Sequence, residues 1–420
     1  MTLQLILSTF SVRTALVTAI SFFFSCVLSW ANEPPPLTDD EFSRATNAGA
    51  QLAARLVNPP EGNIYGERLE AIDCGRILVT EGDSWLDYPL YADIRSELGK
   101  RNWAVFSSAT YGDTLAAMLY NRSQLNSIYS DFIDIASLNH NLIDRKGREN
   151  YLRKKNIDFS ALKPSGVEFG AHDPVETIAE MKQRCSKLYD RQGDLPAREI
   201  DRLPKGVFLS AGGNDLIFDA LNLVLEYRAS SASQVVDVAI LDGFLHRVQR
   251  MLSEYVSAVE ALCNEVFPGL GDAWGPCMNI PILIHGYDYA LVSGKGYRIM
   301  GIEFTGPWLE PAFAKKGHQN RQENEREMRV VINRYNDALC HVATKFAESR
   351  SRVPFYFLDF RGEVNNDWND EIHPNRAAFG ILAKKIGRII SDFHGLSREM
   401  FVQKYEDAGL PCIKTQTVGS

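Results

Sequence analysis

This chain has little surplus basic charge: 45 Lys and Arg stand against 53 Asp and Glu, for a net charge of −8 and a pI near 5.6. Phosphate backbones are held largely by Lys and Arg, so nucleic acid is excluded as the main partner. One basic run, 145–155, reads as a solvated helix face. Cysteine is also scarce, at seven in 420 residues, and no Cys or His pair has the spacing of a zinc site. Neither an internal repeat nor a long low-complexity tract is present, which excludes solenoids and fibrous arrays. Apolar residues nonetheless make up 45% of the chain, enough for a substantial core.

The one long uncharged apolar stretch lies near the start, at 15–28, preceded by Arg13 and followed by Ser29-Trp30-Ala31. Small residues at the two positions a signal peptidase reads predict a secretory signal peptide over 1–31. The stretch is short for a bilayer span of about 20 residues, so no stable membrane span is expected after cleavage. The chain is therefore expected to be exported, to the periplasm or the medium. Removing Cys26 with the leader leaves Cys74, Cys185, Cys263, Cys277, Cys340 and Cys412, an even set that permits disulfides in an oxidising compartment. The Gly-rich segment between Cys263 and Cys277 makes that pair the expected bridge.

Beyond a Pro-rich stretch at 32–40, short apolar runs alternate with long segments of helical period. Strands are predicted at 76–80, 103–107, 206–210, 281–285 and 354–359. Val248, Met251, Leu252, Tyr255, Val256, Val259 and Leu262 form one apolar stripe, and Met328, Val331, Ile332, Tyr335, Leu339, Val342 and Phe346 form another. Continuous apolar strands separated by helices predict an α/β fold with a central, mostly parallel five-stranded sheet. Residues 32–420 read as one domain with a core of about 70–395 and insertions at about 121–203 and 287–320. The second insertion, rich in Tyr, Phe and Trp, either walls the site or packs on the body for stability.

Four separated peptides carry chemistry: Gly82-Asp83-Ser84, Gly112-Asp113-Thr114, Gly212-Gly213-Asn214-Asp215 and Asp370-Glu371-Ile372-His373. Three of them follow a predicted strand, and in open α/β sheets ligands bind beyond the carboxyl ends of the strands. Serine needs a base to become a nucleophile, which points to Ser84 with His373 as base and Asp370 as its orienting carboxylate. An oxyanion needs donors, for which the Gly112 N–H, the Asn214 amide and the Ser84 N–H are the candidates. Asp83 and Asp215 read as structural carboxylates, because an ionised carboxylate aimed at an oxyanion would oppose it.

These blocks, in this order, resemble those of the SGNH or GDSL hydrolases. The resemblance implies a flavodoxin-like three-layer α/β/α fold, with Ser84, His373 and Asp370 as the triad and Gly112 and Asn214 as oxyanion donors. It implies hydrolysis of carboxylic esters through an acyl-enzyme, with no metal and no cofactor. The expected substrate is an ester-bearing small molecule, glycan or lipid, with acyl or acetyl esters on carbohydrate favoured. Lipase, lysophospholipase or thioesterase action, acyl transfer to a sugar, and a non-catalytic glycan-binding descendant stay open as alternatives. The chain departs from the pattern after the serine, where Trp85-Leu86-Asp87-Tyr88-Pro89 replaces the usual Leu and narrows the expected pocket. Trp85, His285 and Tyr287 are candidate substrate contacts; the His285-Gly286-Tyr287-Asp288 peptide either lines the cleft or satisfies a loop.

Overall fold

The computed structural model describes residues 33–56, 76–88, 91–101, 103–120, 125–132, 204–228, 235–266, 276–299, 302–349 and 353–418. The expected signal peptide at 1–31, the 145–155 run, Cys74 and Cys185 lie outside the described residues, as does all of the 121–203 insertion except a helix at 125–132.

Six strands form one parallel sheet: β1 (Ile77–Gly82), β2 (Ala104–Ser107), β3 (Gly206–Ser210), β4 (Ile282–His285), β7 (Phe355–Asp359) and β8 (Cys412–Lys414). Their order is β2-β1-β3-β4-β7-β8, every neighbouring pair parallel. The five predicted strands are all present within two residues of their expected bounds. The sixth corrects the expected number: β8 is three residues long, too short to carry an alternation signal, and pairs Phe357 with Cys412 and Asp359 with Lys414. A disulfide from Cys340 to Cys412 ties this edge to the body, and a second joins Cys263 to Cys277 as expected.

Every residue of β1, β3 and β4 is buried. Because successive side chains point to opposite faces, both faces of the sheet are covered. The covering helices fall into two packed groups. One contains α1 (Asp39–Leu56), α3 (Leu115–Tyr120), α4 (Val238–Val266) and α6 (Arg321–Glu348); the other contains α2 (Ile94–Gly99), α7 (Arg376–Gly395) and α8 (Arg398–Glu406). All of the stripe residues named for α4 and α6 are buried, at roughly 1.5–3 kcal/mol for each large side chain. The packed body is wider than the expected 70–395. At its start Leu37 is buried with its N–H on Gln249 Oε1 at 3.2 Å, and α1 packs along α4.

The 287–320 insertion also holds regular structure: an antiparallel hairpin of β5 (Tyr297–Ile299) and β6 (Ile302–Thr305), then α5 (Glu310–Lys315). Among the described residues no helix is long and apolar enough to cross a membrane.

The strand order fixes where a site can form. The chain leaves β1 toward β2 on one side and returns to β3 on the other, so a crevice opens at the carboxyl ends of β1 and β3. Gly82 ends β1 at φ +152°, opposite Ser210, and a Cβ there would lie 2.1 Å from the Ser210 carbonyl oxygen. Only glycine allows the strands to stay this close as the chain turns into Asp83 and Ser84.

Candidate active site

Ser84 stands in the turn after β1, and Asp370 and His373 in a turn after β7 that leads into α7. The second turn builds itself. Asp370 Oδ1 accepts from the N–H groups of Ile372 and His373, both at 2.9 Å, and Asn369 N–H donates to the His373 carbonyl at 2.8 Å. Asn375 then caps α7 by accepting from Ala378 N–H at 3.1 Å. One carboxylate thus shapes the loop and faces the imidazole.

These three predicted residues form a continuous chain of contacts. His373 Nε2 lies 2.7 Å from Ser84 Oγ, and its Nδ1 lies 3.0 and 2.9 Å from the two Asp370 oxygens. With Nδ1 donating to a carboxylate, Nε2 is left as the acceptor for the serine proton. Burial alone would raise the Asp370 carboxyl, but the hydrogen bond and charge of His373, the Tyr88 hydroxyl and the Ile372 N–H together hold it below the usual carboxylate range.

Tyr88 is a site residue that motif reading did not single out for a role. Its ring stacks on His373 at 4.1 Å and 20°, and its hydroxyl donates to Asp370 Oδ2 at 2.5 Å. Burial, and then the Asp370 charge, push its own ionisation far above the ordinary tyrosine range. Its signal was the departure from the usual residue pattern after Ser84.

Glu371, between Asp370 and Ile372, is the second such residue. Its fully buried carboxylate accepts from the N–H groups of Ser293, Gly294, Trp308, Leu309 and Glu310, at 2.6 to 3.1 Å. Burial raises its carboxyl even against the amides of Leu309, Gly294, Glu310 and Trp308. This clamp fastens the 287–320 insertion onto the Asp370–His373 turn and sets Trp308 edge-on to His373 at 5.3 Å. The insertion is therefore a wall of the site as well as packing on the body.

One contact joins the loops of two oxyanion candidates. Asn214, the residue before a π-helical turn (Asp215–Ala220), donates from Nδ2 to the Asp113 carbonyl at 2.8 Å, joining its loop to that of Gly112. Its other amide hydrogen and the N–H groups of Ser84 and Gly112 have no acceptor among the described residues. Gly112 sits at φ +83° with open space around its missing Cβ, so conformation rather than crowding calls for glycine there. Asp215 binds the N–H groups of Leu115 and Ala116 at the start of α3, the structural role expected of it.

An apolar cavity of about 30 Å³ opens beside Ser84, with Trp85, Asn214, Ile217, Tyr287, Leu309 and Met328 among its lining residues. Trp85 also ties the two turns together, donating from Nε1 to the Ile372 carbonyl at 3.0 Å. Of the candidate substrate contacts, Trp85 and Tyr287 line this cavity and His285 does not. His285 is completely buried beneath the cleft, stacked against Trp85, Phe208 and Phe360, because the end of β4 lies inside the sheet. The rest of its peptide satisfies loops: Asp288 accepts from the N–H groups of Gly362 and Val364.

Among the described residues no group of three His, Cys, Asp or Glu side chains is placed to hold a metal ion. Comparison with family models, with curated proteins and with solved structures finds no match.

Proposed function

We propose that this protein is an exported serine hydrolase of the SGNH type, with a flavodoxin-like fold, that cleaves short-chain carboxylic esters. The observation that carries this reading is the unbroken Ser84–His373–Asp370 chain beside an apolar cavity. In the proposed reaction Ser84 Oγ attacks the ester carbonyl carbon while His373 Nε2 takes the hydroxyl proton. The tetrahedral oxyanion is held by the Ser84 and Gly112 N–H groups and the Asn214 amide. Collapse breaks the bond to the alcohol oxygen, which leaves with the proton from His373. Water, deprotonated by the same imidazole, then releases the acid and restores Ser84.

The apolar wall of the cavity, with Ile217, Leu309 and Met328, suits the hydrocarbon end of an acyl group. Export is supported by the two disulfides of the described residues, which suit an oxidising compartment. The test is hydrolysis of p-nitrophenyl acetate, butyrate and palmitate by the protein and by Ser84→Ala. The expected result is turnover of acetate at least tenfold above palmitate, with none above background in the variant. Equal turnover by the variant, or none of any ester by the protein, would sink the reading.

A further inference from the structure

Beneath Ser84 lies a second hydrogen-bonded chain. Asp83 Oδ1 is 2.6 Å from Ser210 Oγ, Ser210 Oγ is 2.7 Å from His285 Nε2, and His285 Nδ1 is 2.9 Å from the Gly286 carbonyl oxygen. The other Asp83 oxygen is hydrogen-bonded to the Tyr287 hydroxyl, which itself accepts from Gly213 N–H.

Four of these contacts, Tyr287–Asp83, Asp83–Ser210, Ser210–His285 and His285–Gly286, each need one hydrogen between their heavy atoms. An ionised Asp83 with a neutral His285 supplies three: one each from Tyr287, Ser210 and the imidazole. A carbonyl oxygen can only accept, so the imidazole hydrogen is committed to Nδ1. Ser210 then has one hydrogen for two close neighbours, and the contact left without one would set two lone pairs against each other at 2.6 or 2.7 Å. The chain therefore holds one proton more than that state.

We propose that this extra proton resides on Asp83, so that the residue before the nucleophile is a neutral carboxylic acid. Its hydroxyl donates to Ser210, Ser210 donates to His285 Nε2, and His285 donates to the Gly286 carbonyl, every bond in one direction. The rival arrangement, an imidazolium and a carboxylate either side of Ser210, buries two charges. His285 is fully buried among Trp85, Phe208, Phe360 and Tyr287, with no carboxylate bonded to it. Burial pushes it down to about 4 against the pull of the Gly286 carbonyl, and burial pushes Asp83 up against Ser210, Tyr287, Trp85 and His373.

Asp83 then acts as a positioning residue. It accepts from Trp85 N–H at 3.0 Å and so fixes the turn that presents Ser84, while placing no negative charge beside the oxyanion. This consequence rests on the proposed ester hydrolysis; the protonation itself does not. It is therefore tested without activity, by infrared difference spectroscopy near pH 7 on the unaltered protein grown with and without ¹³C-aspartate. A carboxylic-acid carbonyl band that shifts with the label, and is lost in Asp83→Asn, is expected. In parallel, ¹⁵N resonances of His285 should show a neutral ring protonated at Nδ1. Absence of a labelled acid band in the unaltered protein, or an imidazolium at His285, would overturn the assignment.

Discussion

Among the described residues, two Ser–His pairs share the same contact distance. Ser84 and His373, and Ser210 and His285, each bring a hydroxyl oxygen to 2.7 Å from an imidazole Nε2, and each imidazole stacks on an aromatic ring. They differ behind the ring and in front of it. Asp370 backs His373, whereas the Gly286 carbonyl backs His285; a carboxylate stabilises an imidazolium and a buried carbonyl does so only weakly. Ser84 borders a cavity, whereas Ser210 is completely enclosed. A serine beside a histidine is thus not by itself a sign of catalysis: under the proposed function, the charge behind the base and the space before the nucleophile set the Ser84 pair apart from the Ser210 pair.

The sharpest way to break the comparison is to remove each hydroxyl. Ser84→Ala is expected to lower kcat by on the order of 10⁶, the loss typical when a nucleophile of this kind is deleted. Ser210→Ala is expected to leave the rate within about tenfold while costing about 1–3 kcal/mol of stability, since it orphans buried partners. Ester hydrolysis and denaturant unfolding measure the two effects, and a Ser210 variant as inactive as the Ser84 variant would erase the distinction.

Removing the charge behind His373 comes next. Asp370→Asn should preserve the fold and lower kcat about 10⁴-fold by loss of tautomer control, measured as steady-state hydrolysis. Asn214→Ala deletes one oxyanion donor and should cost about 10²- to 10³-fold in kcat with a smaller change in KM. An unchanged kcat would remove Asn214 from the site.

The first of these pairs was legible in the sequence and the second was not, for physical reasons. Ser84, Asp370 and His373 sit in short peptides whose glycines, carboxylates and strand context each have a local cause. His285 looked like a cleft residue because it follows a strand next to Gly286 and Asp288, and nothing local reveals that the end of β4 is covered. Ser210 carries no signal, being the last residue of an apolar run. Glu371 was in view inside its motif, but its five amide donors come from residues 61 to 78 positions away, which periodicity cannot reach. The long amphipathic helices α4 and α6 and the five longer strands were readable because their burial repeats at 3.6 or runs continuously, whereas β8 is too short to repeat at all.

Glu371 sharpens the comparison from the side of the wall. Glu371→Gln keeps the shape but replaces one acceptor oxygen with an amide that donates toward N–H groups already donating. The 287–320 segment should loosen from the Asp370–His373 turn, lowering kcat/KM by about tenfold and raising amide hydrogen exchange at Gly294, Trp308 and Leu309. Unchanged exchange at those amides would mean that packing alone holds the wall.

A further expected effect is in stability, and its sign follows from proton counting. Folded, the Asp83–Ser210–His285 unit holds one titratable proton. Unfolded, its aspartate and histidine hold two below their ordinary values of 3.8 and 6.5, one between them and none above. Between about pH 4 and 6.5 folding takes up no proton through this unit, so its contribution is flat and at its maximum. Above 6.5 the folded state alone keeps the proton, and stability falls by about 1.4 kcal/mol per pH unit until Asp83 ionises. Below about 4 the unfolded aspartate and the folded His285 each take up a proton, so the contribution of this unit stays nearly flat. Asp83 is also faced by His373 and Tyr335, and burial raises other carboxyls such as Glu371 as well, so the informative quantity is the difference from Asp83→Asn. In that variant the folded unit holds no titratable proton, and the alkaline decline from this unit should vanish while stability instead rises with pH up to 6.5. Urea unfolding from pH 5 to 9 measures both curves, and parallel curves above pH 6.5 would place no proton on Asp83.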